Sequence, residues 1–338
     1  MSLTIMKPGL LTTVQDLGRD GYQQQGVIVS GAMDRYALRM ANLLTGNTQG
    51  MAALEVTMWG PAIQFEQASL VAICGAPFEP RINGRIVPLW RPVWVRAGEI
   101  LEFGSCSSGA RAYLAVAGGV DVPLVLGSRS TYLRAEIGGY EGRALLAGDV
   151  LPIGEPSSLA ASYMANIEPE LTASPFTAAS WFIGELNRPA YHEEPLVRFV
   201  RGREYHQFTE ASKEAFSSHR FRVSSQSDRM GYRLEGPDIQ MDNRVELLSS
   251  AVVFGTVQVP PQGSPIILMA DRQTVGGYPR IAQVASVDLP ILAQVRPGDW
   301  IRFDEITLEE AEQMYSLAEQ LMRRLECAIG LYLKQGGL

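Results

Sequence analysis

The chain has 338 residues, of which 46% are hydrophobic and 19% charged, and this balance predicts a globular protein rather than a disordered or collagen-like one. Its 29 basic and 36 acidic side chains give a formal net charge of −7, which argues against a protein that binds nucleic acid through phosphates. Three cysteines and three histidines are scattered, without zinc, redox or disulfide spacing, so we expect no bound metal.

The N-terminal region is not expected to be a signal peptide. The apolar run within residues 1–15 is interrupted by Lys7-Pro8-Gly9, which is not typical of a signal peptide. No stretch of about 18 apolar residues occurs elsewhere, so no membrane span is predicted. We therefore expect a cytoplasmic protein.

The first half of the chain predicts one helix and several short strands. Apolar residues at helical spacing over 34–44, followed by Gly46 as a stop, predict the helix. Short runs rich in Val and Ile, such as Leu70–Ile73 and Arg111–Ala117, predict strands because glycine or proline bounds them. The Ala/Ser/Pro-rich stretch 156–180 lacks periodicity and predicts a linker.

The second half repeats this pattern and ends in a longer helix. A weaker helix is predicted over Thr209–Phe216, and strands over Ala251–Val259 and Pro265–Ala270. Thr307 with Glu310 forms a capping box, which predicts the start of the terminal helix. The apolar stripe of that helix, from Ala311 to Leu325, covers more than four turns, so it should pack against a barrel or a partner.

One local pattern occurs three times: a small residue or proline, then glycine, an acid and alternating apolar residues. It predicts a tight turn followed by a strand, and we interpret it as a recurring barrel edge. Two copies lie in the first half and one in the second, which favours two related β domains. We predict an N-terminal domain over 1–155, a linker over 156–180 and a C-terminal domain with the terminal helix over 181–338. The copies are Ala97–Leu101, Ala147–Leu151 and Pro297–Ile301.

Polar residues gather in four glycine-punctuated segments, whereas the P-loop, the dinucleotide-binding fingerprint and the nucleophile elbow are absent from the sequence. Each segment holds an acid near an arginine, together with small residues that let the backbone approach a ligand. The fourth directly follows an apolar strand, a common way to build a binding site. Such Asp–Arg neighbours can equally serve only to fix loops. The segments are 12–19, 30–34, 224–232 and 271–279.

These segments and others resemble the allophanate hydrolase subunit 2 family, in order, from about residue 3 to 305. Within it, the resemblance is strongest to the C subunits of bacterial ATP-dependent 5-oxoprolinases. Val275 departs from the threonine that family members often have, which weakens a hydroxyl role there. The matching strings are Thr12–Asp16 with Gly18-Arg19, Ser30–Asp34, Ala41-Asn42 with Gly46-Asn47, Leu54–Thr57, Leu114–Gly119, Ser227–Leu234, Val257–Pro260 and Leu268–Pro279.

The resemblance implies a mainly β protein with a few helices, built from two cyclophilin-like β-barrel domains plus a C-terminal helix. It implies partners, the B and A subunits of 5-oxoprolinase, with which the chain would open the lactam of 5-oxo-L-proline to L-glutamate. ATP would be hydrolysed in the complex, and the resemblance does not indicate where ATP binds. The family leaves two alternatives: a regulator that antagonises a kinase inhibitor, and a biotin-dependent carboxyltransferase subunit. The sequence contains no A/V-M-K-M biotin acceptor, so biotin is not expected on this chain.

Candidate site residues follow from side-chain chemistry on the matching segments. Arginines suit carboxylates or phosphates, and the acids can orient them or move protons. Glu55 alternates with apolar neighbours, so it lies either on the wet face of a strand or in the site. We expect the segments to converge into one cleft. The catalytic candidates are Asp34, Asp271 and Arg272, and the substrate-binding candidates are Asp16, Arg19, Glu55, Ser227, Arg229, Gln258, Gln273, Thr274 and Tyr278.

Overall fold

The computed structural model describes residues 1–167, 174–243 and 247–335. The predicted fold class is confirmed, because strands dominate and helices are few. The chain divides into two compact units, and each is described by itself. Unit 1 comprises Met1–Arg19, Asp34–Pro189 and Met322–Leu338, and unit 2 comprises Asp20–Met33 and Ala190–Leu321.

Unit 1 contains two six-stranded sheets. One has the order β11-β1-β4-β9-β6-β7 and the other β12-β8-β5-β10-β3-β2. The strands are β1 (Ser2–Lys7), β2 (Leu11–Gln15), β3 (Ala53–Thr57), β4 (Ala62–Phe65), β5 (Ser69–Gly75), β6 (Arg81–Ile82), β7 (Arg85–Ile86), β8 (Val93–Val95), β9 (Ile100–Glu102), β10 (Arg111–Val116), β11 (Val150–Pro152) and β12 (Phe176–Ala178). Helix α1 (Arg35–Leu44) contacts β5 and β10, and α2 (Ser158–Ile167) follows later in the chain.

Unit 2 contains a closed seven-stranded barrel. Its order is β13-β20-β17-β18-β15-β14-β21, and β16 and β19 form a separate pair. The strands are β13 (Leu196–Arg201), β14 (Arg220–Val223), β15 (Gly231–Glu235), β16 (Ser250–Ala251), β17 (Thr256–Gln258), β18 (Ile266–Leu268), β19 (Val275–Gly276), β20 (Arg280–Val284) and β21 (Trp300–Glu305). The helices of unit 2 are α3 (Glu210–Ser218) and α4 (Leu289–Leu292), and the terminal helix α5 (Leu308–Gln335) begins in unit 2 and belongs to unit 1 from Met322 onwards.

Each unit has its own apolar core, built by strand alternation. In β1, for example, Leu3 and Ile5 point inward and are fully buried, while every residue of β5 is buried. The core of unit 2 includes Met33, although this residue lies within the first tenth of the chain. The segment Asp20–Met33 therefore packs with the barrel that forms much later in the sequence.

The predicted helices are confirmed, with one correction. Asp34 caps α1 by accepting a hydrogen bond from the N–H of Ala37, and the capping box joins Thr307 and Glu310 in both directions. The apolar stripe of α5, however, is only partly buried in its first half, where Tyr315 is 51% exposed. The fully buried positions lie later, at Met322, Ile329 and Leu333.

The three predicted turns are confirmed and share one hydrogen-bond pattern. In each, the glycine has a positive φ of 81° to 98°, which favours glycine over other residues. The glycine N–H donates to a carbonyl on a neighbouring segment, and a strand follows. The donor–acceptor pairs are Gly98 to Phe65 at 2.6 Å, Gly148 to Ile5 at 2.7 Å and Gly298 to Val223 at 2.7 Å. The weak sequence repeat is therefore a real structural repeat.

The compact units do not follow the predicted domain boundaries. The predicted linker 156–180 holds α2 and β12, and β12 pairs with β8 inside unit 1, while residues 168–173 lie outside the described ranges. Its alanine-rich composition suits a helix as well as a loop. The single strand predicted over Ala251–Val259 is also wrong: β16 and β17 are separated at Gly255, whose φ is 83°. Within the described ranges, no helix is both long and apolar enough to cross a membrane.

The turn before β11 supplies a test of pH-dependent stability. Asp149 accepts two hydrogen bonds from Arg143, at 2.7 and 2.9 Å, and one from the N–H of Leu146. The hydrogen bonds from Arg143 lower the pKa of Asp149. The ionised carboxylate therefore stabilises the fold above the ordinary aspartate pKa, and this stabilisation is lost as the pH falls through the lowered pKa. We expect Asp149→Asn to lower the free energy of unfolding by about 2 kcal/mol at pH 7, measured by denaturant titration.

The matched control is Asp121→Asn, because Asp121 forms a more exposed ion pair with Arg129. That variant should lose less than about 1 kcal/mol. The difference in the free energy of unfolding between wild type and Asp149→Asn should narrow as the pH falls below about 4. A gap that stayed constant down to about pH 3 would contradict this assignment.

Candidate functional site

The loop after β2 in unit 1 is organised around Asp16. Its carboxylate accepts hydrogen bonds from the hydroxyls of Ser128 and Ser130 at 2.7 and 2.5 Å, and from the N–H groups of Gly18 and Arg129 at 2.8 and 2.6 Å. Arg19 is 1% exposed and donates to the carbonyl of Ser130 at 2.5 Å. These contacts hold the loop in place. Substrate binding by Asp16 and Arg19 stays a prediction.

A second network in unit 1 joins Asp34 and Glu55 through Tyr113. The Tyr113 hydroxyl donates to Glu55 Oε2 at 2.7 Å and accepts from the backbone N–H of Asp34 at 2.8 Å. Arg111 Nε lies 3.9 Å from Glu55 Oε1. Glu55 and Tyr113 face each other across β3 and β10, and all three linked residues are at most 1% exposed. Of the two interpretations of Glu55, a wet strand face is therefore wrong.

Tyr113 is the residue that sequence reasoning missed. Burial, reinforced by the nearby charges of Glu55 and Asp34, raises the pKa of Tyr113 well above that of an ordinary tyrosine, so the hydroxyl keeps its proton and remains a donor. The only signal in the sequence is a polar-tipped aromatic inside the otherwise apolar run Arg111–Ala117. That signal does not identify its partners.

Cys74 lies among the same buried residues of unit 1 but is not poised as a nucleophile. Burial raises its pKa well above that of an ordinary thiol, and the positive charge of Arg188 offsets this only in part. The reactive form of cysteine is the thiolate, which burial disfavours. The neighbouring Tyr36 hydroxyl donates to the carbonyl of Asn187.

Unit 2 contains a buried ion pair at the predicted strand end. Asp271 receives two hydrogen bonds from Arg229, at 2.8 and 3.0 Å, and a third from the hydroxyl of Ser30 at 2.7 Å. Arg229 also donates to the carbonyl of Gly31 at 2.7 Å. Arg229 and Asp271 are 7% and 4% exposed. The carboxylate that Arg229 holds here is thus Asp271, while a substrate role for Arg229 stays a prediction.

The residues after Asp271 are more accessible. Arg272 is half-buried, lies over the ring of Phe254 at 5.8 Å, and makes long contacts of 3.4 Å to two backbone carbonyls. Gln273 is exposed and Thr274 half-buried. This is the part of the segment whose side chains can meet a ligand.

The remaining candidates lie at two other points of the barrel. Gln258 is buried and its side-chain amide donates to the carbonyl of Tyr278 at 3.3 Å, while Tyr278 itself is 46% exposed. Ser227 accepts from the N–H of Arg233 at 3.0 Å, which fixes the turn before β15. Gln258 and Tyr278 are therefore joined to each other, and Ser227 belongs to a turn.

Tyr278 also lines a cavity of unit 2. The cavity measures about 810 Å³, and its lining includes Met241, Pro260, Gly277 and Pro279, with no charged side chain among the described lining residues. A ligand there would be recognised by shape and by hydrogen bonds rather than by charge.

The predicted residues thus belong to separate hydrogen-bond networks, two in unit 1 and others in unit 2. Asp16, Arg19, Asp34 and Glu55 belong to unit 1, whereas Ser227, Arg229, Gln258 and the segment from Asp271 to Tyr278 belong to unit 2. Convergence into one cleft stays a prediction, as does the expected absence of metal. The described residues contain no group of three or more His, Cys, Asp or Glu side chains that could hold a metal ion.

The networks offer hydrogen-bond donors and acidic groups in buried, ordered positions. Such positions suit proton transfer and the stabilisation of charge on a bound carbonyl or carboxylate.

Comparison with known proteins finds one consistent group. A family model described as carboxyltransferase domain, subdomain A and B, matches residues 25–305. The C subunit of 5-oxoprolinase from Escherichia coli K12 is 42% identical over 327 residues, covering 96% of this chain and 98% of that protein. The protein of the same name from Haemophilus influenzae is 39% identical over 302 residues, covering 89% and 90%.

A larger protein contains the same fold. The crystal structure of the Kluyveromyces lactis urea amidolyase superposes with a TM-score of 0.84 at 30% identity, covering 95% of this chain. This chain spans only 20% of that protein, so it corresponds to one part of a much longer polypeptide.

Proposed function

The chain belongs to the family of carboxyltransferase domains with subdomains A and B, and from this premise we propose that it is the C subunit of an ATP-dependent 5-oxoprolinase. The complex would open 5-oxo-L-proline to L-glutamate and hydrolyse ATP, together with the A and B subunits. One observation carries the proposal: the 42% identity to the C subunit of a 5-oxoprolinase extends over nearly the full length of both proteins.

The end of β18 supports a role in substrate binding. The Asp271–Arg229 pair is buried and holds the loop, which leaves Arg272 at the more accessible position next to it. A guanidinium is suited to bind the carboxylate of 5-oxo-L-proline or a phosphorylated intermediate. Gln273 and Thr274 would add hydrogen bonds, and Asp34 would act as a group that orients or moves protons. We assign no residue of this chain to ATP.

Omission of single components tests the proposal. The chain is purified with the products of its neighbouring genes, and ADP release that depends on 5-oxo-L-proline is measured with each component left out. We expect release only from the full set, with L-glutamate as the product. ADP release that continues at full rate without this chain would contradict the proposal.

A second function is favoured by the name of the matching family model and by the likeness to urea amidolyase. As a carboxyltransferase subunit, the chain would help to transfer a carboxyl group from carboxybiotin on another protein to an acceptor substrate, which leaves biotin behind. That function predicts activity that depends on a biotinylated partner and is blocked by avidin. A regulator that antagonises a kinase inhibitor would instead bind a partner without any turnover. The omission experiment tests the first function, and the avidin experiment separates the other two.

A further inference from the structure

The cavity of unit 2 that Tyr278 lines has walls fixed by hydrogen bonds. It measures about 810 Å³, a volume in the range of small-molecule sites in proteins. The N–H of Gly263 donates to the carbonyl of Pro260 at 2.9 Å and closes a turn with Pro261 at its second position, where proline is favoured. The N–H of Ile239 donates to the carbonyl of Gly263 at 2.9 Å. The space is therefore present before any ligand arrives.

Tyr278 is held beside this cavity by contacts of its backbone. The side-chain amide of Gln258, which is 2% exposed, donates to the carbonyl of Tyr278 at 3.3 Å. A Cβ atom at Gly276 would lie 2.5 Å from Nε2 of Gln258, so glycine leaves the room that this amide needs. The N–H of Val259 donates to the carbonyl of Pro279 at 2.9 Å. The ring of Tyr278 is accessible while its backbone is fixed, so it can pack against a ligand.

The backbone of the cavity wall is better suited to accept hydrogen bonds than to donate them. Three lining residues are prolines, which have no N–H group. Four others donate their N–H groups to oxygen atoms of the protein. All seven keep a backbone carbonyl, which can accept two hydrogen bonds. A ligand that donates hydrogen bonds is therefore favoured. The prolines are Pro260, Pro261 and Pro279, and the four others are Ile239, Gln240, Val259 and Gly263.

The lining side chains add an apolar surface and two amides. Met241 and Leu247 are half-buried, so part of each apolar side chain faces the open space. Gln240 and Gln262 each carry a carbonyl and an NH2 group, which match the N–H and C=O of an amide. The lining thus combines contacts for an apolar body with partners for an amide group.

We propose that this cavity is a second ligand site, which binds a small-molecule amide with an apolar body. The apolar body lies against Met241 and the ring of Tyr278, and the amide N–H donates to the wall. Arg272, which is proposed to bind the substrate carboxylate, is not among the described lining residues. The proposal does not rest on the proposed function, because binding here needs neither partner subunits nor turnover.

Titration of the full-length chain with benzamide, an apolar ring that carries a primary amide, tests the site. Methyl resonances of carbon-13-labelled methionines are followed by NMR, and Met241→Leu identifies the signal of Met241. We expect a saturable shift of this signal, with no shift for Met322, which is buried in α5. Acetophenone has the same shape but a methyl group in place of NH2, so it should bind about tenfold more weakly.

Substitutions locate the binding. Tyr278→Ala should raise the Kd of benzamide about tenfold, because the ring contact is lost. The matched control is Tyr315→Ala, which removes a similarly exposed ring from α5 and should leave Kd within about twofold of wild type. Arg272→Ala should also leave Kd within about twofold of wild type, because the cavity is a separate site.

A Met241 signal that does not shift up to the solubility limit of benzamide would overturn the proposal. Equal binding of benzamide and acetophenone would overturn it as well, and so would a Kd raised as much by Arg272→Ala as by Tyr278→Ala. The two probes are compared on the wild-type chain, so this comparison holds whatever Tyr278→Ala does to Tm. No turnover is measured, so the site and the proposed function can fail independently.

Discussion

Asp271→Ala is expected to lower the free energy of unfolding by about 3–5 kcal/mol, the largest effect of any single substitution considered for unit 2. The reason is that Arg229 would keep its charge in a buried position, 7% exposed, without the carboxylate that receives two of its hydrogen bonds. The Ser30 hydroxyl would lose its acceptor at the same time. Denaturant titration of the variant and the wild type measures the difference.

The control for this substitution is Asp304→Ala, which removes an exposed carboxylate from β21. It should change the free energy of unfolding by less than about 0.5 kcal/mol. A double variant, Asp271→Ala with Arg229→Met, should recover part of the loss, because no unpaired charge remains buried. A loss below about 1 kcal/mol in Asp271→Ala would show that the pair does not hold the barrel loop.

Tyr113→Phe is expected to lower the free energy of unfolding by about 2–4 kcal/mol. The substitution removes the hydroxyl that donates to the buried carboxylate of Glu55 and accepts from the backbone N–H of Asp34, so each of these groups loses one hydrogen bond. Loss of such a buried hydrogen bond costs about 1–3 kcal/mol. The size of the loss is read from chemical denaturation, with far-UV circular dichroism as the probe.

The same chemical change at Tyr315 provides the comparison, because this side chain is 51% exposed on α5. Tyr315→Phe should be neutral within about 0.5 kcal/mol. If both variants were equally stable, Tyr113 would not be the link between Asp34 and Glu55.

Features encoded in neighbouring residues could be predicted from the sequence. The start of α1 at Asp34, the capping box at Thr307 and the three glycine turns each depend on side chains and φ angles within about four residues. Such local signals also indicated many short strands and few helices, and the mainly β architecture could therefore be predicted.

The domain boundaries depended on contacts that the sequence does not display. The segment Asp20–Met33 belongs to unit 2 because Met33 packs in the barrel core and Ser30 bonds to Asp271, 241 residues later. Similarly, the apolar stripe of α5 predicted burial from Ala311 onwards. Which of its turns are buried depends on the surface that packs against the helix. Sequence periodicity indicates that a face is apolar without indicating what covers it.

The position of one candidate segment could be predicted from the sequence, but the contacts within it could not. The segment 271–279 does stand at the end of β18, as the sequence suggested. The sequence could not show that Asp271 is bound by Arg229, 42 residues earlier, or that Glu55 is bound by Tyr113, 58 residues later. Both pairings arise from the strand arrangement. In the first, Asp271 and Arg229 hold the loop beside the more accessible Arg272.

The central claim is that Arg272, positioned by the buried Asp271–Arg229 pair, binds substrate for a 5-oxoprolinase complex. The most direct test is kcat/KM for 5-oxo-L-proline in the reconstituted complex carrying Arg272→Ala, with Arg222→Ala as control. Arg222 is exposed and makes a weak contact of 3.3 Å to the carbonyl of Gly298. The account predicts that Arg272→Ala lowers kcat/KM about 100-fold at an unchanged Tm, as expected for loss of a charge-assisted contact of about 3 kcal/mol, while Arg222→Ala has no effect. Turnover by the Arg272→Ala complex equal to that of wild type would contradict it.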